Sequence, residues 1–260
     1  MCSDSRIHSS AVIHPEAKLG VGVKVGPFSI IEAGAVVGDN CEISSHVRIE
    51  GSVRMGANNR IFQGAVVGSE PQDLKFRGEN SLLRIGDGNV IREYATLNPG
   101  TGDNALTSVG DGCLLMAYSH VAHNCLIGDN VIMANSVNLA GHVVVEDCAI
   151  IGGVTPVHQF VRIGAHCFIG GGSRVPQDVL PFMRGAGNPL IMSGVNAVGL
   201  QRRGFTPDEL RNLRKAYRII YRSGLNTSQA IEQLTAEMGE DPNIQRLISF
   251  SRSSERGITK

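Results

Sequence analysis

The chain has 260 residues, and its 24 Lys or Arg and 24 Asp or Glu give a formal net charge of zero at pH 7. A general nucleic-acid-binding protein needs a clear excess of positive charge, so this balance argues against one. Hydrophobic residues make up 42% of the chain, too many for a disordered protein, yet no apolar run reaches the ~18 residues of a membrane span or resembles a signal peptide. The cytoplasm is therefore the expected compartment.

A six-residue repeat occupies the first two thirds of the chain. Between Ile7 and Val175, 26 of the 29 residues at every sixth position are Ile, Leu, Val or Met, and small residues recur four positions later. This is the hexapeptide signature of a parallel β-helix, in which three hexads form a triangular coil of about 18 residues. We therefore predict a mainly β domain over residues 1–190, with the aliphatic residue of each hexad pointing inward.

Two segments interrupt the repeat, at residues 71–84 and 102–108. Loops that interrupt a solenoid tend to carry function, because the scaffold does not need them. We expect these two loops to contribute to a site.

The six cysteines stand at positions 2, 41, 113, 125, 148 and 167, without a Cys-x-x-Cys pair. Four of them (41, 113, 125 and 167) fall on the small inward position of the repeat. We therefore expect free, mostly buried thiols and no metal cluster of the zinc-ribbon type.

Helical signals replace the repeat after Val175. Residues 181–204 are rich in Gly and Pro, which predicts a linker. An N-cap, a Pro and an acidic residue then begin a helix at Thr206 that ends near Gly224, and further helices begin at Thr227 and Asp241. Residues 201–260 hold 11 Lys or Arg against 7 Asp or Glu, a net charge of +4. We predict a C-terminal helical domain over 191–260, whose basic surface suits an acidic partner or a phosphate, or is simply a solvated face.

Four histidines are expected on one edge of the solenoid. One coil separates His123 from Gly141, His120 shares the coil of His123, His142 follows Gly141, and His158 lies 16 residues beyond His142. A zinc site is one interpretation, but the spacing fits the His ligands of zinc-binding hexapeptide proteins poorly, so we expect no metal. The others are an unused polar rim and a general base, since an imidazole titrates near pH 6.5.

Several short motifs resemble those of the UDP-N-acetylglucosamine acyltransferase family, which catalyses the first step of lipid A biosynthesis in Gram-negative bacteria. They cover nearly the whole chain: Gln72-Asp73-Leu74-Lys75, His120-Val121-Ala122-His123-Asn124-Cys125, Leu139-Ala140-Gly141-His142-Val143, Val157-His158-Gln159-Phe160, Gly187-Asn188-Pro189, Gly194-Val195-Asn196 and Gln201-Arg202-Arg203-Gly204-Phe205. The resemblance implies a left-handed coil, a homotrimer without a cofactor, an acyl carrier protein as the donor of an (R)-3-hydroxyacyl chain, and the 3-position of UDP-N-acetylglucosamine as the acceptor.

The resemblance also implies roles for single residues. His123 matches the family's general base and Gly141 its backbone donor to the oxyanion. The positions that hold the sugar nucleotide or the donor are Asp73, Lys75, His120, His142, His158 and Gln159, and those near the uridine and phosphates are Asn196, Arg202 and Arg203. The arginine pair is otherwise an ordinary basic helix start.

Gly171 lies in the stretch that sets acyl-chain length in the family. Three consecutive glycines at 170–172 leave the groove free of side chains, which predicts a hydroxyacyl chain of the twelve- to fourteen-carbon class. The other interpretation is that these glycines only satisfy tight turns.

Two departures from the family pattern leave the acceptor open. Asn124 stands where many relatives have Asp, and Pro99 stands in a segment that reads His-Arg-Gly-Thr or Asn-Arg-Gly-Thr in relatives. The acceptor could thus carry a 3-hydroxyl or a 3-amino group. An acetyl-coenzyme A-dependent sugar acetyltransferase and a non-enzymatic scaffold also remain possible functions for a chain of hexapeptide repeats. The pathway's later N-acyltransferase is disfavoured, because it needs a domain ahead of the hexads, which here begin at Ile7.

Overall fold

The structure, a computed structural model, describes residues 6–260, so Cys2 and the start of the predicted repeat domain lie outside the described residues. Residues 6–260 contain 27 strands and four helices. Most strands have only two residues, because the chain turns a corner after every hexad.

The strands stack into three sheets, which form the three sides of a triangular coil. The first sheet contains β1 (Arg6–Ile7), β4 (Lys24–Val25), β7 (Glu42–Ile43), β10 (Arg60–Ile61), β13 (Val90–Ile91), β16 (Leu114–Leu115), β19 (Ile132–Met133), β22 (Ile150–Ile151), β25 (Phe168–Ile169), β26 (Met183–Ala186) and β27 (Ile191–Val195). The second contains β2 (Val12–Ile13), β5 (Ile30–Ile31), β8 (Arg48–Ile49), β11 (Val66–Val67), β14 (Thr96–Leu97), β17 (His120–Val121), β20 (Asn138–Leu139) and β23 (Pro156–Val157). The third contains β3 (Lys18–Leu19), β6 (Val36–Val37), β9 (Val53–Met55), β12 (Leu82–Ile85), β15 (Leu106–Val109), β18 (Leu126–Ile127), β21 (Val144–Val145) and β24 (Arg162–Ile163).

The parallel register places residues 18 positions apart directly above one another where no loop intervenes. Val121 pairs with Leu139, and Leu139 pairs with Val157; all three side chains are buried. Burying one such side chain is worth roughly 1.5–3 kcal/mol, so the inward column is the main stabilising feature of the coil. The six-residue period therefore predicts the core correctly.

The cysteines of the inward column are free thiols, as predicted. Cys41, Cys113, Cys125 and Cys167 are buried, while Cys148 is half-buried. Burial raises the pKa of Cys113 to about 11 and that of Cys125 to about 12, so these thiols stay protonated at neutral pH. A protonated thiol is a poor nucleophile, and these cysteines serve as small apolar packing groups.

Both interruptions of the repeat leave the solenoid at the same corner, between the second and third sheets. The first follows β11 and the second follows β14, and each ends where a four-residue strand of the third sheet begins. The strands β12 and β15 start at Leu82 and Leu106, earlier than the predicted loops 71–84 and 102–108 end, because their backbones pair with each other over four residues. The turn that carries His123 lies at this corner, after β17 and before β18.

The linker predicted at 181–204 is wrong. β26 pairs in parallel with β25, β27 pairs antiparallel with β26, and the short helix α1 (Ala197–Arg202) follows. Gly187 and Pro189 form the turn of this hairpin, while Gly185 and Gly194 lie within its strands, and the hairpin spans the predicted domain boundary at 190.

The three helices predicted after the hairpin are confirmed. They are α2 (Pro207–Arg222), α3 (Thr227–Met238) and α4 (Pro242–Arg252). The Thr206 side chain accepts from the Glu209 N–H while the Glu209 carboxylate accepts from the Thr206 N–H, the reciprocal capping that the sequence indicated. An exposed charged face and a buried apolar face follow from the helical spacing, with Leu213, Ala216 and Ile220 of α2 in the core.

Candidate active site

His123 forms the floor of a cleft at the corner between the second and third sheets. The residue is only 9% exposed, and the cleft has a volume of about 380 Å³. The cleft is lined by Gln72, Asn98, His120, Ala122, His123, Asn138, Leu139, Ala140, Gly141, Pro156 and Val157. The outer face of the second sheet and the first loop therefore enclose two imidazoles, those of His120 and His123.

Gly141 lies directly against the His123 ring, one coil further along the solenoid. A Cβ atom at position 141 would stand 2.5 Å from both Cε1 and Nε2 of that ring. Only glycine fits here without displacing the imidazole. The predicted stacking of these two residues is thus a feature of the structure, and its cause is the absence of a side chain at position 141.

The backbone N–H of Gly141 has no acceptor within hydrogen-bonding distance among residues 6–260. The equivalent backbone N–H at the corner between the third and first sheets does have a partner. There the Asp129 N–H donates to the carboxylate of Asp147, one coil further along. The N–H beside His123 is therefore free to donate to a ligand atom, which is the property that an oxyanion donor needs.

Asp73 of the first loop faces His123 from the open side of the cleft. Its Oδ2 lies 3.7 Å from Nε2 of His123, and its Oδ1 accepts from the Lys75 backbone N–H at 3.0 Å. The hydrogen bond from the Lys75 N–H lowers the pKa of Asp73, with further lowering by His123 and by the Lys75 charge. Asp73 is therefore ionised at neutral pH, and the loop of the same chain closes over its own histidine.

Two further histidines surround His123 and stay neutral at pH 7. The ring centre of His142 lies 5.2 Å from that of His123, and Oγ1 of Thr96 lies 2.7 Å from Nδ1 of His120. Burial lowers the pKa of His120 and of His142, and the nearby His123 lowers both further. Neutral imidazoles can both donate and accept hydrogen bonds, so this wall of the cleft is a polar binding surface.

His158 and Gln159 lie two coils from the base. His158 is exposed and its Nδ1 lies 3.1 Å from the Gln159 carbonyl oxygen, while Phe160 stacks on His142 with ring centres 4.6 Å apart. These two polar residues follow Val157, which lines the cleft, but they are not part of the lining themselves. Their predicted contact with substrate stays a prediction.

Asn196, Arg202 and Arg203 lie elsewhere in the same chain. Asn196 caps α1, donates through Nδ2 to the His166 carbonyl at 2.9 Å and accepts from the Gly199 N–H at 3.2 Å. His166 turns the corner between the third and first sheets, and the Arg203 charge acts on it. Arg202 and Arg203 are exposed at the end of α1, not at a helix start. A full side of the triangular coil therefore separates this trio from His123.

Gly171 has a packing role in the coil. Its Cβ position lies 3.2 Å from the Gly153 carbonyl oxygen, against the backbone of the preceding coil, while Gly172 has open space around it and a φ of +70°. Tight stacking thus requires little bulk at 171 irrespective of any ligand. The acyl groove predicted at this position stays a prediction.

Sequence reasoning missed three polar residues that build the cleft. Asn138 and Thr96 stand in register with His120 on the second sheet, and Asn98 donates from Nδ2 to the Ser69 carbonyl at 2.9 Å. The 18-residue register could have found Asn138, because it lies one coil from His120. Thr96 and Asn98 precede an interruption of the repeat, where that count fails.

No helix within residues 6–260 combines the length and apolarity needed to cross a bilayer. Within the same residues, no three His, Cys, Asp or Glu side chains are arranged to hold a metal ion.

Comparison with known protein families gives two matches along the chain. Residues 178–259 match the model described as UDP N-acetylglucosamine O-acyltransferase, domain 2, and residues 16–51 and 106–141 match the bacterial transferase hexapeptide model. The C-terminal match is the specific one, because hexapeptide repeats occur in many transferases.

Individual relatives match over nearly the whole chain. The acyl-[acyl-carrier-protein]–UDP-N-acetylglucosamine O-acyltransferase of Alkalilimnicola ehrlichii is 48% identical over 98% of this chain and 100% of its own length. The crystal structures of UDP-N-acetylglucosamine acyltransferases from Francisella novicida and Bacteroides fragilis are 40% and 44% identical, each with a TM-score of 0.94. They cover 97% of this chain and, respectively, 93% and 99% of their own. The predicted fold, a left-handed parallel β-helix with a C-terminal helical region, is confirmed.

Proposed function

Since the chain belongs to the UDP-N-acetylglucosamine O-acyltransferase family, we propose that it transfers an (R)-3-hydroxyacyl chain from acyl carrier protein to the 3-hydroxyl of UDP-N-acetylglucosamine, the first step of lipid A biosynthesis. The observation that carries the proposal is the packing of an accessible imidazole, His123, against a glycine whose backbone N–H is free. A proton acceptor and an oxyanion donor then stand side by side, which is what acyl transfer requires.

In the proposed mechanism, Nε2 of His123 takes the proton of the sugar hydroxyl as its oxygen attacks the thioester carbonyl. The carbonyl oxygen becomes an oxyanion that accepts a hydrogen bond from the Gly141 N–H. Collapse of the tetrahedral intermediate breaks the C–S bond, and the imidazolium returns its proton to the departing thiolate. One ester forms, one thioester breaks, and the base ends in its starting state.

The polar walls of the cleft support binding of the sugar nucleotide beside His123. We assign hydrogen bonding to the sugar to Asp73, which is ionised, and to the neutral His120 and His142. Lys75 stands two residues from Asp73 and brings a positive charge to the same edge. His158 and Gln159, two coils from His123, are assigned to the outer part of the donor or the nucleotide.

The remaining predicted nucleotide ligands require a second subunit. Asn196, Arg202 and Arg203 lie at a different corner of the coil from His123, so one chain cannot bring them to its own cleft. In a closed threefold ring, one corner of each subunit faces another corner of its neighbour. We therefore propose a cytoplasmic homotrimer in which the exposed guanidinium groups reach the diphosphate bound at the neighbour's cleft.

A row of cations on α2 supports an acidic protein donor. Arg211, Arg214, Lys215, Arg218 and Arg222 share its exposed face, as their spacing of three and four residues requires. Arg211 pairs with Asp208, and Lys215 pairs with Glu237. Within residues 6–260, no salt bridge occupies the other three arginines, which leaves them free to meet carboxylates of the carrier protein.

The test is an acyl-transfer assay with carrier-protein donors of several chain lengths and two acceptors, UDP-N-acetylglucosamine and its 3-amino analogue. His123→Ala should lower kcat about 10²–10⁴-fold, the usual contribution of a general base, while circular dichroism and the oligomer mass stay unchanged. Near wild-type kcat in His123→Ala would refute the assignment of the base. Exclusive use of the 3-amino acceptor would change the proposed acceptor.

A further inference from the structure

The residue that follows His123 holds the imidazole in place. Oδ1 of Asn124 lies 2.8 Å from Nδ1 of His123, and the same oxygen accepts from the Thr101 backbone N–H at 2.9 Å. The other end of the amide, Nδ2, lies 3.4 Å from the Thr101 carbonyl oxygen. The backbone of Thr101 thus contacts both ends of the Asn124 amide.

These contacts determine which nitrogen of His123 carries the proton. A backbone N–H can only donate, so the Asn124 atom that it meets is the carbonyl oxygen, and the amide orientation follows from the network. A carbonyl oxygen can only accept, so Nδ1 of His123 must be the donor in that pair. The neutral imidazole therefore keeps its lone pair on Nε2, the nitrogen that lies against Gly141.

The Asn124 backbone is fixed as firmly as its side chain. Its φ is 59°, in the left-handed region that Asn adopts more readily than most residues, and its N–H donates to Thr107 Oγ1 at 2.8 Å. Thr107 is fully buried. Thr101 and Thr107 border the second interruption of the repeat, where the chain leaves the coil and re-enters it, so this interruption builds the clamp that holds Asn124.

We propose that Asn124 is a positioning residue, which the segment 101–107 clamps so that His123 presents an unprotonated Nε2 to the acceptor hydroxyl. The proposal rests on the proposed function, in which His123 is the base. It assigns a role to an uncharged side chain, whose oxygen orients the ring without adding a negative charge beside it. Charge near the ring then comes from Asp73 and Lys75 of the first loop, while His120 on the same coil and His142 on the next are neutral at pH 7.

A carboxylate at position 124 would act differently from the amide. It would accept from Nδ1 in the same way, but it would also stabilise the protonated imidazole, and an opposite charge at this distance typically moves a titration by about one pH unit or more. At low pH the base is protonated and kcat/KM falls. This acidic limb of the pH profile would therefore move to higher pH in Asn124→Asp.

The experiment compares Asn124→Ala, Asn124→Asp and the control Asn130→Ala in the acyl-transfer assay between pH 5 and 9. Asn130 occupies the same turn position at another corner, with a φ of 55°, so Asn130→Ala reports the cost of placing alanine in a left-handed turn. We expect Asn124→Ala to lower kcat about 10–10²-fold with little change in the KM for the sugar nucleotide. Asn124→Asp should keep kcat within about threefold while its acidic limb rises by about one pH unit.

Three results would overturn the proposal: unchanged kcat in Asn124→Ala, an equal loss in Asn130→Ala, or an unshifted acidic limb in an active Asn124→Asp. Because the charge effect in Asn124→Asp needs no loss of folding, the proposal remains testable if Asn124→Ala misfolds. Failure of the proposed function gives a different result, which is a wild-type protein without acyl transfer or a His123→Ala variant that keeps it.

Discussion

The contact between Gly141 and the His123 ring gives a sharp test of the site. Gly141→Ala keeps the backbone N–H, and its φ lies outside the left-handed region, so the substitution adds only a methyl group. That methyl would stand 2.5 Å from Cε1 and Nε2 of His123. Ordinary contact begins at 3.4 Å, so the ring must move by about 0.9 Å.

A displacement of this size would break the alignment of the base. The Nδ1–Oδ1 distance to Asn124 is 2.8 Å, and lengthening it by the same amount takes it beyond hydrogen-bonding range. A misplacement of about 1 Å typically costs on the order of 10²-fold in rate. We therefore expect kcat of Gly141→Ala to fall about 10²-fold in the acyl-transfer assay, while the KM for the sugar nucleotide changes little.

The control is Gly153→Ala, at the same turn position of another corner. The nearest atom to its added Cβ is the Asn135 carbonyl oxygen at 3.0 Å, so this variant meets backbone and no imidazole. Its kcat should stay near the wild-type value, and thermal unfolding of both variants should show that each remains folded. If folded Gly141→Ala keeps kcat within about twofold, the reasoning from the ring contact is refuted.

Three further predictions concern the acyl chain, the donor and pH. Gly171→Met should shift the donor preference of kcat/KM toward shorter chains, since each buried CH₂ is worth about 0.8 kcal/mol; an unchanged preference in a folded variant would exclude a groove at this position. The double variant Arg214→Glu/Arg218→Glu should raise the KM for acyl carrier protein about tenfold but leave turnover of an acyl-pantetheine thioester unchanged. Arg252→Glu of α4 is the control, and an unchanged KM in the double variant would place the carrier protein elsewhere. Burial lowers the pKa of His166, so the imidazole binds its proton at higher pH in the unfolded chain than in the folded one, and stability falls as pH drops below about 6.5. The melting temperature of His166→Phe should therefore fall less than that of the wild type between pH 7.5 and 5.5. An equal fall in both proteins would contradict this origin.

The coil could be predicted from the order of the amino acids alone. With a six-residue period, the same inward position returns once per coil, after every third corner. Val121, Leu139 and Val157 are therefore buried together in one column. The same count placed Gly141 one coil from His123, and local capping signals located α2 to α4. These features depend on short-range rules that repeat, which is why a single sequence contains them.

The surroundings of the base, in contrast, depend on how distant segments pack. The periodic count fails across the interruptions, so nothing in the sequence showed that Asp73 would face Nε2 of His123 or that Thr101 would hold Asn124. The hairpin of β26 and β27 was missed for a related reason, since its glycines serve pairing with the last coil. Arg203 and His123 lie at different corners of the coil. The order of the three sheets, and not distance along the chain, determines which side chains share a face.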